Sequence, residues 1–152
     1  MDKPEDRTIM VSRSFKAPRQ AVFDALTKPE IVKQWLLGPP GWSMPVCEID
    51  LKPGGKYRYV WRQDTDGTVM GMGGVFRQVK PPDHFVAEEK FDKPWYAGHA
   101  LVTTALANKD DQTVLLTTIQ YESKEVRDSV LKTPMLNGLA SSYDNLTKLL
   151  AN

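Results

Sequence analysis

The side chains in this sequence best suited to holding a small molecule are rings and thioethers: Trp35, Trp42, Met44, Trp61, Met70, Met72, Phe76, Phe91, Trp95, Met135 and Tyr143. Such groups shape themselves to irregular apolar ligands. With Leu139 and His99 they form the candidate ligand-binding set, although ordinary core packing uses the same residue types. Proton transfer has two candidate participants. An imidazole changes charge near neutral pH, and His99 shares a strand face with Leu101 and Thr103. A buried Glu88 would have its pKa raised and could act as an acid or base. Glu88 and Glu89 alternate across a strand, so at most one of them faces inward.

Other chemistries lack their apparatus. Two histidines and one cysteine at remote positions give no metal-ligand spacing, and neither a metal nor a cofactor is expected. There is no Gly-x-Ser-x-Gly elbow, phosphate loop or dinucleotide fingerprint. Cys47, between Val46 and Glu48, reads as a small core hydrophobe. Arg13 interrupts an apolar face between Val11 and Phe15, so it needs a carboxylate partner, with Glu48, Asp50 or Glu88 as candidates. Lys52, Lys56, Arg58 and Arg62 interleave with Tyr57, Tyr59 and Trp61 as a solvated strand face.

These residues must be positioned by a strand, two helices, a long meander and a helical end. Thr8 to Phe15 alternates as a strand. Pro18 to Leu26 and Ile31 to Trp35 read as short helices, each entered at a proline. Leu37-Gly38-Pro39-Pro40-Gly41 can only be a loop. Strands follow at Met44–Leu51, Lys56–Gln63, Thr68–Val79, His84–Phe91, Ala97–Ala107 and Thr113–Tyr121. The Asp66-Gly67 step is a hairpin signal, and the short connections imply antiparallel pairing. Gly71 and Gly73 mark a bend or a close approach. Ser123 caps a helix to Lys132, and Thr133-Pro134 starts another, whose stripe of Met135, Leu139, Ser142, Leu146 and Leu149 buries one face.

The totals bound the answer to one α+β domain. At 152 residues, 41% apolar and 26% charged, the chain can bury a real core. A net charge of +1 argues against nucleic acid or an anionic membrane as partner. The lone cysteine and the charged start, Met1 to Arg7, fit a cytoplasmic protein, with no membrane span expected. Monomer and homodimer both fit.

The ordered set of motifs resembles the START-like (SRPBCC) superfamily, and within it the group related to the C-terminal domain of the activator of heat-shock protein 90 ATPase. It runs from Ser12-Arg13-Ser14-Phe15-Lys16-Ala17-Pro18 and Val22 to Thr27, through Trp35, Gly38-Pro39, Gly41-Trp42, Asp50, Gly54-Gly55, Asp66-Gly67 and Pro81-Pro82. It ends with Ser123-Lys124-Glu125, Arg127-Asp128, Met135, Gly138 and Ser142-Tyr143, so that it spans about Ile9 to Leu150. The resemblance implies a helix-grip fold, in which a curved antiparallel sheet of about six or seven strands wraps a long C-terminal helix around a cavity. Relatives bind lipids, hormones, polyketides or other apolar molecules, and some are cyclases or aromatases. The expected function is therefore non-catalytic binding of a small apolar or amphipathic ligand. One alternative is a co-chaperone-like module contacting a chaperone through the Trp35 to Trp42 loop. Another is an acid-base enzyme acting through Glu88 or His99.

Overall fold

The computed structural model describes residues 4–92 and 99–151. After a single 3-10 turn at Pro4–Arg7, β1 (Thr8–Phe15) leads into α1 (Arg19–Thr27) and α2 (Pro29–Trp35). Five strands follow in succession: β2 (Trp42–Ile49), β3 (Lys56–Gln63), β4 (Val69–Lys80), β5 (His84–Phe91) and β6 (Ala100–Lys109). Then come β7 (Gln112–Gln120), α3 (Lys124–Leu131) and α4 (Met135–Leu150). All seven strands join one sheet in the order β1-β7-β6-β5-β4-β3-β2, and every pair is antiparallel. This is the expected α+β helix-grip architecture, a sheet curled as a half-barrel around the last helix.

Local chemistry sets the boundaries. Gly67 takes the left-handed conformation (φ +73°) that the Asp66-Gly67 turn requires, and Thr68 N–H donates to the Asp66 carboxylate at 2.8 Å. The Ser123 hydroxyl accepts from Val126 N–H at 3.1 Å, the expected cap of α3. Thr133 Oγ1 accepts from Met135 N–H at 3.3 Å, so Thr133-Pro134 does separate α3 from α4. β2 begins two residues before the expected Met44, and its pairing slips between Ser43 and Val46, around Pro45. A proline has no ladder donor, and β2 can hold one because it is an edge strand.

The core fills in three adjoining clusters. At one end α1 and α2 press Phe23 and Trp35 onto Phe15, Leu115, Tyr143 and Leu146. In the middle Tyr57, Trp61, Met72, Phe76 and Ala87 pack against α2 through Val32. At the far end Ile9, Ile119, Tyr121 and Val130 meet beneath α3. α4 seats unevenly. Its second half is buried at Ser142, Tyr143 and Leu146, whereas Met135, Leu136 and Leu139 stay partly exposed.

Candidate functional site

A row of residues crossing β3 to β6 governs the inner face of the sheet. Tyr57 stands opposite Gly74, Gly74 opposite Glu89, and Glu89 opposite Ala100. Gly74 has no side chain, and the Tyr57 ring lies in the vacated space: a Cβ there would meet its Cζ at 2.4 Å. The ring thus reaches across β4, and the Tyr57 hydroxyl donates to Glu89 Oε2 at 2.9 Å. Burial pushes the Glu89 carboxyl up to about 7, against the lowering pull of that hydrogen bond. Neither Lys nor Arg pairs with Glu89 among the described residues.

Aromatic rings flank the carboxyl. Tyr57 lies 5.2 Å from Tyr59 and 5.1 Å from Phe76 between ring centroids, and Tyr59 lies 5.9 Å from Trp61. Burial raises the Tyr59 phenol well above its ordinary value, with a smaller contribution from Cys47 and then Glu89. Burial also pushes the Cys47 thiol up to about 11, which leaves it protonated and inert, as its sequence context implies.

The sequence-predicted residues divide by position. Met44, Trp61, Met70, Met72, Phe76 and Phe91 come together on the inner face around this row, with Trp42 at its margin. Trp35, Leu139 and Tyr143 gather at the other end, where Trp35 stacks on Tyr143 with centroids 6.2 Å apart. Two of the indoles are structural anchors: Trp35 Nε1 donates to Ala25 O at 2.8 Å and Trp61 Nε1 to Leu36 O at 2.6 Å. Tyr143 shares a hydrogen bond of 3.1 Å with Thr117 Oγ1 in the core. Met135 is the acceptor for the Tyr121 hydroxyl, at 3.8 Å. Trp95 lies outside the described residues.

Three expectations are corrected. The inward carboxyl is Glu89, not Glu88. Glu88 lies on the outer face, 3.0 Å from Arg77, whose guanidinium holds the carboxyl below its ordinary value. His99 is exposed on that same outer face, in a shallow groove of about 760 Å³ shared with Lys56, Arg58, Glu88 and Lys90. Arg13 pairs with Asp144 of α4 rather than with Glu48, Asp50 or Glu88. Glu89, Tyr57 and Tyr59 are the polar residues that the reading from sequence missed. Strand parity carries the signal, since Phe85, Ala87 and Phe91 face inward and Glu89 keeps their phase.

A second groove, of about 410 Å³, opens at the edge, lined by Leu37, Pro39, Pro40, Trp42, Lys148 and Leu149 among others. Among the described residues no group of three His, Cys, Asp or Glu side chains is placed to hold a metal. No helix there is long and apolar enough to cross a membrane.

Comparison with known proteins agrees with the fold. The sequence profile of the family described as Activator of Hsp90 ATPase homolog 1-like protein matches residues 16–151. A crystal structure of a Rhodobacter sphaeroides protein superposes with a TM-score of 0.89 at 28% identity, covering 99% of this chain and 96% of that one. Protein Ms6760 from Mycobacterium smegmatis gives a TM-score of 0.85 at 22% identity, over 97% and 93% of the two chains. Protein CV1439 from Chromobacterium violaceum gives 0.84 at 23%, over 96% and 98%. None of the curated proteins matches the sequence.

Proposed function

The chain belongs to the Activator of Hsp90 ATPase homolog 1-like family, and on that premise we propose that it binds a small apolar or amphipathic molecule between the sheet and α4, in the cytoplasm and without catalysis. One observation carries the reading. Tyr59 and Glu89 lie deep enough for burial to raise both pKa values, yet each keeps accessible surface. Depth combined with reachable surface is what lining a hollow produces. The partial exposure of Met70 and Phe91 beside this row, and of Met135 and Leu136 on the facing start of α4, supports it. Gentle purification followed by native mass spectrometry and solvent extraction tests the proposal. A stoichiometric apolar compound is expected. A chain that carries nothing, and whose melting temperature no apolar compound raises, would overturn it.

A second reading rests on the edge groove. Trp42 is only partly buried there, beside the exposed Pro39 and Pro40 and below Lys148. Proline-flanked indoles suit contact with another protein. Chaperone pull-down and ATPase stimulation with a Trp42→Ala variant tests that role, and equal behaviour of variant and parent removes it.

A further inference from the structure

We propose that the molecule held between sheet and α4 carries a basic nitrogen, which the Glu89 carboxylate binds against the rings of Tyr57 and Tyr59. The inference rests on the pocket reading above and names the chemistry of the polar end of its ligand. The only hydrogen bond to Glu89 among the described residues reaches one oxygen, Oε2, from Tyr57. Oε1 accepts no hydrogen bond among the described residues, and Glu89 as a residue is only partly buried. The positions directly opposite it in the cross-strand row are a glycine and an alanine, so neither β4 nor β6 sets a charged or polar side chain across from it.

Among the described residues no cation answers the charge. The inner-face positions in the sheet row of Glu89, among the described residues, are Tyr57 of β3, Gly74 of β4 and Ala100 of β6, with Tyr59 two residues along β3; none of these is cationic. Arg13, on the inner face of β1, is committed to Asp144. A buried carboxylate lacking a counter-charge is costly, and the elevated Glu89 value is consistent with one that waits for a cation. The aromatic surroundings point to the same class. Ring faces attract ammonium groups, and Tyr57, Tyr59, Trp61 and Phe76 form a continuous ring cluster beside the carboxyl. A ligand carboxylate would set two anions in one apolar space, and a plain alcohol would leave the Glu89 charge unmet.

The test titrates the full chain at pH 8 by calorimetry with decylamine, decanol and decanoate, all below their micellar concentrations. Decylamine is expected to bind about tenfold or more tightly than decanol, with decanoate weakest. In Glu89→Gln that preference should vanish while decanol binding persists. Glu48→Gln, on the outer face of the same sheet, should keep it. Equal binding of decylamine and decanol, tighter binding of decanoate, or an undiminished amine preference in Glu89→Gln would each overturn the amine assignment and leave the pocket standing. If none of the three binds, the pocket reading itself fails. Retained decanol binding and an unchanged circular dichroism spectrum separate loss of recognition from loss of fold.

Discussion

A carboxyl group on the inner face of β5 gives up hydration that no cation among the described residues replaces, and that deficit has a measurable sign. The ordinary glutamate value is 4.5, and burial raises Glu89 to about 7 in the folded chain. On raising the pH from 4.5 the unfolded chain loses its proton first. Stability therefore falls between about pH 4.5 and 7 and levels off above, by about 3 kcal/mol in all. Glu89→Gln should remove that fall, so chemical denaturation at pH 5 and pH 8 should give nearly equal stabilities for the variant. Tyr143→Phe is a second residue-scale case: it leaves the buried Thr117 hydroxyl without its 3.1 Å partner. It should cost about 1 kcal/mol in urea denaturation. Both cases turn on which way a side chain points. Parity alone places Glu89 with Phe85 and Phe91, so its orientation was legible in the sequence. Its hydrogen bond to Tyr57 was not, because that bond depends on strand register across an intervening glycine.

At the scale of elements, glycines are where the strands are cut to fit. Gly74 makes room for the Tyr57 ring, and Gly71 does the same on the other face for the Arg58–Asp92 pair, whose Asp92 Oδ2 would lie 2.4 Å from a Cβ. Gly74→Ala should drive the ring off Glu89 and destabilise the fold by about 1–3 kcal/mol. Its signature would be loss of the Tyr57–Glu89 hydrogen bond in a crystal structure of the variant. Gly55 is less forgiving. A Cβ there would meet the Asp50 carbonyl oxygen at 2.0 Å, and backbone cannot swing aside as a ring can. Gly55→Ala should cost about 3 kcal/mol or more, read as a lowered denaturation midpoint. Element order was readable from alternation and punctuation, down to the break at Thr133-Pro134. The role of glycines in β4 was readable only in part: a close approach was foreseeable, but not which side chain makes it.

For the molecule as a whole, the uneven seating of α4 matters most. Ser142, Tyr143 and Leu146 are clamped by Phe15, Trp35 and Leu115, whereas Met135, Leu136 and Leu139 remain partly exposed. Hydrogen exchange should be faster across 139–141 than across 143–147. Decylamine should slow the first stretch about tenfold and leave the second unchanged. Uniform exchange along α4, insensitive to the amine, would contradict this. That α4 lies within the curl of the sheet followed from its apolar stripe and from the family resemblance. How closely it seats along its length could not follow from periodicity, since a stripe marks the buried face without giving the depth of what it faces.

The sheet order has a consequence in time. Six strands pair with their neighbours in the chain, but β1 pairs with β7, so Phe15 meets Thr113 and Ala17 O receives the Thr113 hydroxyl across 96 residues. During synthesis the hairpins from β2 to β6 can close as they emerge, while β1 waits with Ile9, Val11 and Phe15 unpaired. The closure of β1 on β7 is the slow, non-local step, and α4 cannot seat before it, because Phe15 and Leu115 belong to its seat. The enclosure of the interior around Glu89 by α4 thus comes last, so a molecule held as proposed would enter a nearly finished fold rather than guide its assembly.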